Sequence, residues 1–297
     1  MRATDPISSI LEARLAGLQA EARLSAWSLI VSFLGDAIGP RGGVVSATAL
    51  QALMQRLGVG AGAVRTALSR LAAEGWIERT REGRNGFYSL AGAVGETVLA
   101  AERRIYAGSS LLPADTPRCL VIAASALPEE ALPAIDAAWA LRLAPHVLLC
   151  FAAAEALPPA LRFDGATLAD RPRLIPGHGL TGALAEARQS AEMARLHEAY
   201  APLHQALEAG AAPAPEDAIA LRCLMIHEWR RLALKVLAVP SDLVHEGDPE
   251  PATRALVAGI YARLLPASEA WLDAHATTPS GPLPAPDARL ARRFAAG

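Results

Sequence analysis

The sequence predicts an α+β chain in three parts: an N-terminal winged helix-turn-helix, a small central α/β domain and a helical C-terminal region. Two short amphipathic segments joined by a glycine turn, with a β-type hairpin directly after them, point to the first part. A β-α-β order followed by long helical runs points to the other two. At 297 residues there is room for two or three cores, and 52% hydrophobic with 20% charged residues is the balance of a globular protein. The expected boundaries are 1–92 for the winged helix, 93–112 for a helical linker, 113–184 for the central domain and 185–297 for a helical effector and dimerisation region.

From Leu24 to Ile38 the residues Trp27, Ile30, Val31, Leu34 and Ile38 recur at helical spacing, and Gly39-Pro40 stops the run. Ser46 is a fitting N-cap for a second helix that places Leu50, Leu53, Met54 and Leu57 on one face before Gly58. A third helix starts near Ala61, with Val64, Leu68 and Leu71 as its core stripe. Its other side aligns Arg65 with Ser69 and Thr66 with Arg70, guanidinium and hydroxyl groups of the kind that meet base edges and phosphates in a major groove. Trp76 to Thr80 and Phe87 to Leu90 then read as two strands, with Asn85-Gly86 as the turn signal. The tip carries Arg81 and Arg84, placed for backbone phosphates. With Arg41 and Asn85 these residues make up the expected DNA-binding set; each arginine taken singly is as well explained as a solvated surface charge.

Charge supports the division. Residues 1–110 hold twelve arginines against nine acidic residues, and the remainder holds sixteen basic against twenty-one acidic ones. A mildly basic head on an acidic body fits a regulator that reads double-stranded DNA. No apolar run of about 18 residues appears, and the N-terminus lacks a signal-peptide order, so no membrane partner and a cytoplasmic location are expected. Cys119, Cys150 and Cys223 lack any metal or disulfide spacing and read as free buried thiols; neither a metal nor another cofactor is expected.

Beyond the hairpin, a helix over about 93–107 leads to a strand over 118–124, a helix over 129–142 and a strand over 147–151, with a further strand placed at 171–175. Helices are expected over 185–208, 216–239, 251–265 and 266–274, and Pro279 to Pro286 as a poorly structured tail. In the helix over 216–239, His227, Arg231 and Lys235 run at i, i+4, i+8 between two apolar stripes, and Lys235 is the sole lysine of the chain. With Arg230 beside them they form a candidate anion site for an effector; the alternative is pairing with acids such as Glu228, Glu192 or Glu198.

Several of these stretches resemble the PaaX family of repressors: Ser28-Leu29-Ile30, Gly35-Asp36, Arg41-Gly42-Gly43, Val64 to Leu71, Glu74-Gly75-Trp76, Gly86 to Leu90, Ile226 to Lys235, and Tyr261 to Pro266. The resemblance brackets nearly the whole chain. It implies a repressor of phenylacetic acid catabolism released by an aryl- or acyl-coenzyme A such as phenylacetyl-coenzyme A, and a ferredoxin-like central domain similar to the Cas2 fold. The expected partners are thus an operator, an acyl-coenzyme A effector and a second copy of the chain, since paired half-sites double a small interface. Two other classes compete: a thioester-acting enzyme with a winged-helix appendage, and a protein-binding winged helix without a DNA target. Against the enzyme, no catalytic Ser-His-Asp, Cys-His or carboxylate arrangement stands out, and no catalytic residue is assigned.

Overall fold

A computed structural model describes residues 5–124, 127, 129, 140–175 and 177–295. The architecture is mixed α+β. The first elements are α1 (Pro6–Ala20), α2 (Ala26–Phe33), β1 (Val44–Ser46), α3 (Ala47–Arg56), α4 (Ala61–Ala73), β2 (Ile77–Glu82), β3 (Asn85–Leu90) and α5 (Gly95–Ile105). Five strands follow: β4 (Leu111–Leu112), β5 (Cys119–Ala123), β6 (Ala140–Ala144), β7 (Val147–Cys150) and β8 (Ala166–Asp170). The chain then runs through α6 (His178–Ala187), α7 (Ser190–Glu208), α8 (Pro215–Ala233), β9 (Val239–Pro240) and α9 (Pro249–His275). A short pair, β10 (Thr277–Thr278) and β11 (Gly281–Pro282), and the turn of helix α10 (Ala288–Ala291) close it.

Two compact units emerge, and their boundaries do not follow the chain consecutively. The first combines residues 1–108, 196–234 and 253–297; the second combines 109–195 and 235–252. Segments that the sequence separates, 1–92 and much of 185–297, therefore share one core.

In the first unit, Asp5 caps α1 by accepting from the Ile7 N–H at 3.0 Å, Pro6 opens the helix, and Ile7, Leu11, Leu15 and Leu18 are buried along one side. Sequence reasoning did not foresee this helix. Ser25 caps α2, whose hydrogen bonding widens to a π-helical turn over Leu34–Ile38 instead of continuing as the expected regular helix to Ile38. That turn sends Asp36 inward. Ser46 caps α3 as expected, and the chain leaves it through Gly58 at φ 73° into α4, which buries Val64, Ala67, Leu68 and Leu71.

Strands β1, β3 and β2 form an antiparallel sheet in that order. The β2–β3 turn is Gly83-Arg84, between the paired residues Glu82 and Asn85, so Asn85-Gly86 opens β3 and is not the turn. Gly83 takes φ 58° at the first loop position, which a two-residue hairpin of II′ type requires and a side chain resists. This register brings Ile77 opposite Leu90 and buries Phe87 and Tyr88.

Helix α8 is the spine of this unit. Thirteen of its residues from Asp217 to Trp229 are buried, including the charged Arg222 and Glu228. Trp229 is fully enclosed; its Nε1–H donates to the Ile105 carbonyl at 2.8 Å and the Arg254 guanidinium lies 4.8 Å from its ring centroid. Toward the C-terminal end, Arg14 binds Glu228, which also accepts from the Tyr200 hydroxyl at 2.8 Å, and near the N-terminal end Arg56 binds Asp217. From the middle of the helix, Arg222 donates to Asp36 at 2.7 Å and to Glu269 at 2.6 Å. Asp36 also receives Arg293 at 2.8 Å and the hydroxyls of Tyr106 and Tyr261 at 2.6 and 2.9 Å. Burial alone would raise its carboxyl; Arg222 and Arg293 outweigh burial and hold it below the usual carboxylate range.

Two corrections concern the C-terminus. Helix α9 passes through Pro266 without the expected break. The proline tail is ordered: the Pro284 carbonyl accepts from Arg41, the Asp287 N–H donates to Pro40, and the Phe294 N–H donates to Tyr106. Phe294 also stacks edge-on against Tyr106, with ring centroids 5.3 Å apart.

The second unit holds an antiparallel sheet in the order β6-β7-β5-β8. One face buries Cys119, Val121, Leu148 and Cys150 with Leu157 and Leu161, and the other buries Leu141, Leu149 and Phe151 with Leu184, Val239 and Leu243. Most of the helix expected over 129–142 lies outside the described residues, but its end, from Ala140, is strand β6. The edge strand is Ala166–Asp170 and not 171–175; Arg171 at φ 48° turns the chain away after it. Gln189 at φ 57° likewise divides the helix expected over 185–208 into α6 and α7.

Replacing Asp36 by Ala leaves two buried guanidinium groups without their shared counter-ion. A loss of about 3–5 kcal/mol is expected, read as a lower urea midpoint; an unchanged midpoint would remove this cluster from the support of the core.

Candidate functional site

The surface of α4 follows from its periodicity. With Val64, Ala67, Leu68 and Leu71 turned inward, Arg65, Thr66, Ser69 and Arg70 are all exposed on the remaining arc. Thr66 returns its hydroxyl proton to the Gly62 carbonyl at 3.1 Å. Arg70 forms an i, i+4 pair with Glu74 at 2.6 Å, and Glu74 also accepts from Trp27 Nε1 at 3.2 Å. The hydrogen bond from Arg70 holds the Glu74 carboxyl below its usual range. An exposed pair of this kind is weak, so Arg70 can exchange Glu74 for a phosphate or a base edge at little cost. Arg81, Arg84 and Asn85 are exposed around the hairpin turn. Arg79, which sequence reasoning passed over, is also exposed on β2, with its guanidinium 6.0 Å from the Tyr88 ring centroid.

Arg41 leaves this set. Its side chain is 4% exposed, and each of its three nitrogens is engaged within the protein, with the Pro284 carbonyl, Glu269 and Asp273.

The stripe His227, Arg231, Lys235 does not form either. Helix α8 ends at Ala233, which puts Lys235 in the turn beyond it, and Arg231 and Lys235 are both exposed while His227 is buried. Neither ring nitrogen of His227 has a hydrogen-bond partner of normal geometry among the described residues. Burial, with Arg230 and Arg231 close by, lowers its pKa to about 4. Two of the three acids expected beside the stripe are engaged elsewhere, Glu228 with Arg14 and Glu192 with Arg195.

Arg230, the fourth residue of that group, points another way. Its Nε donates to the Ser32 hydroxyl at 2.7 Å and a terminal nitrogen to the Ser28 carbonyl at 3.1 Å. Among the described residues no carboxylate pairs with it, and burial, followed by Arg231, holds its pKa below the usual arginine value. Arg230 lines a cavity of about 170 Å³ whose walls include Trp27, Val31, Trp76, Val98, Ala101 and Ile226. The two tryptophans meet edge to face, with centroids 5.4 Å apart. Nothing in the sequence pattern joins these residues, which come from α2, the start of the hairpin, α5 and α8.

All three cysteines are free and buried, with burial pushing Cys150 up to about 12. Among the described residues no three His, Cys, Asp or Glu side chains are placed to hold a metal, and no helix is long and apolar enough to cross a membrane.

Comparison with known proteins bears on this arrangement. Residues 25–94 match the model of the PaaX-like protein family, and residues 185–274 match that of the PaaX-like protein C-terminal domain. A relative from Escherichia coli K12, the transcriptional repressor PaaX, is 30% identical over 292 residues, spanning 91% of this chain and 90% of its own length. The chain belongs to the PaaX family. The resemblance read from residues 64–71 and 226–235 is thereby established, and the two matched regions contain α4 and the hairpin on one hand and Arg230 on the other. An uncharacterised protein of Mycobacterium tuberculosis shares the fold at a TM-score of 0.53 and 17% identity, over 83% of this chain and 98% of its own.

His227→Phe is expected to flatten the acid sensitivity of the fold. A histidine whose folded pKa is about 4 gives stability that is complete above its unfolded value, near 6.5, and is lost as the pH falls toward 4. The wild type should lose roughly 3 kcal/mol through this group across that window; parallel stability curves for wild type and variant would count against a neutral buried imidazole.

Proposed function

We propose that this chain is a DNA-binding transcriptional repressor whose N-terminal helices and hairpin act as a winged helix-turn-helix. The observation that carries the reading is the uninterrupted polar arc Arg65, Thr66, Ser69 and Arg70 on α4, the second of two helices joined by a tight glycine turn. Arg81 and Arg84 on the hairpin supply charge for sugar-phosphate contacts, with Arg79 beside them. That the E. coli relative is a transcriptional repressor supports the same role.

The strand order β6-β7-β5-β8, antiparallel throughout, supports a ferredoxin-like reading of the second unit. We assign it a structural and dimerising part, so that two heads meet two half-sites. The regulator is released by an aryl- or acyl-coenzyme A, phenylacetyl-coenzyme A being the first to test. Among the described residues, a role as a thioester-acting enzyme has no side-chain constellation to favour it.

Arg65→Ala and Arg70→Ala should each weaken binding to DNA from upstream of the gene by roughly 1–3 kcal/mol if they read bases. Unchanged gel-shift affinity in both variants would take α4 out of recognition. Arg81→Ala and Arg84→Ala should weaken binding to any duplex and reduce the salt slope by about one each; a loss confined to one sequence would contradict the phosphate assignment. Light scattering at concentrations that bind DNA should return twice the mass of 31.0 kDa, and a monomer would reject the paired-head arrangement.

A further inference from the structure

The cavity beside α5 combines three properties seldom found together by accident of packing. Its walls are largely apolar and aromatic, and the partly open space measures about 170 Å³. An engineered apolar cavity of about 150 Å³ is enough to hold benzene, so the space matches one six-membered ring with a short substituent. Among the described residues its cation also has no carboxylate of its own. Arg230 has serine and carbonyl oxygens for two of its nitrogens, whereas the carboxylates that reach the same cavity, Asp36 and Glu102, are spent on Arg222 and Arg293 and on Arg289 and Arg293 respectively. A half-buried guanidinium facing an apolar cavity without an acid of its own favours an incoming oxygen that carries negative charge or a strong carbonyl dipole.

We propose that this cavity takes the acyl end of the effector: a ring-sized apolar group whose carboxylate or thioester carbonyl oxygen accepts from Arg230, with Trp27 and Trp76 against the ring. The assignment rests on the reading of the chain as an effector-released regulator, and it moves the effector site away from His227, Arg231 and Lys235. It also supplies a route to the DNA-reading elements. Trp27 belongs to α2, which packs on α4, and Trp76 immediately precedes β2. A ligand that repositions the tryptophan pair thus acts at the base of both the recognition helix and the hairpin. Release requires only that the ligand favour the arrangement that DNA does not.

The test uses the full-length protein, tryptophan fluorescence and calorimetry, with phenylacetate, isovalerate and their coenzyme A thioesters as probes, and DNA from upstream of the gene as the second ligand. Wild type should bind at least one ring-sized probe with a change in tryptophan emission, and binding should weaken the DNA complex. Ala101→Phe, which fills the cavity, and Arg230→Gln, which removes the cation, should each weaken probe binding tenfold or more. Should Arg230→Gln fail to fold, because Ser28 and Ser32 lose their partner, the smaller filling Ala101→Val supplies the second point and should lie between wild type and Ala101→Phe. Equal binding of acid and thioester identifies the free acid as a sufficient ligand, while binding of the thioester alone identifies the coenzyme A form; both uphold the cavity. Wild-type probe affinity in Ala101→Phe, or no response to any probe in a protein that still binds the upstream DNA, overturns it. Probe binding that Ala101→Phe abolishes, in a wild-type protein with no affinity for duplex DNA, upholds the cavity and overturns the regulator instead.

Discussion

A single carboxylate, that of Asp36, holds the larger unit together. It sits on the π-helical turn after α2 and gathers Arg222 from α8, Arg293 from beyond α10, Tyr106 from the end of α5 and Tyr261 from α9. Each of these groups is buried, so each would be costly alone. Together they satisfy one another, and Glu269 and Glu102 carry the remaining charge outward toward partly exposed positions. The widening of the helix at 34–38 has its reason here: it turns Asp36 into the core at the place where four other segments converge. Arg41, paired with Glu269 and Asp273 on α9, extends the same network to the tail through the Pro284 carbonyl.

Much of the N-terminal architecture is legible in sequence because it is written in local terms. Ser46, Gly58 and the spacing of Val64, Leu68 and Leu71 each act within a few residues, and α3 and α4 lie where those signals place them. Helix α1 obeys the same rules, with Asp5-Pro6 as its start and Ile7, Leu11, Leu15 and Leu18 as its stripe. The hairpin turn was misplaced by two residues because Gly83 and Gly86 are both able turn residues, and only the cross-strand pairing of Ile77 with Leu90 decides between them. Strand β8 has no apolar alternation of its own; its place is set by β5, its ladder partner. Pro266 was read as a stop, yet packing along α9 overrides the lost hydrogen bond.

The candidate site divides in the same way. Exposure of Arg65, Thr66, Ser69 and Arg70 follows from helical phase, so sequence identifies them. The fate of Arg41 depends on acids 228 and 232 positions away, beyond the reach of any spacing argument. The expected basic line on α8 assumed a helix reaching 239; ending at Ala233, it leaves Lys235 off the axis. The cavity around Arg230 is assembled from four elements spread over more than 200 positions of the chain and has no linear signature at all.

The C-terminal position of Arg293 has a bearing on how the protein is made. As the chain leaves the ribosome, the segment 26–90 emerges with its caps, its stripes and its hairpin complete, but with Asp36 lacking both cations that hold it. A carboxylate without its cations is costly to bury, so Asp36 depends on both for its place in the core. The segment that faces DNA in our reading is therefore completed by Arg222 and Arg293, 186 and 257 positions further along the chain.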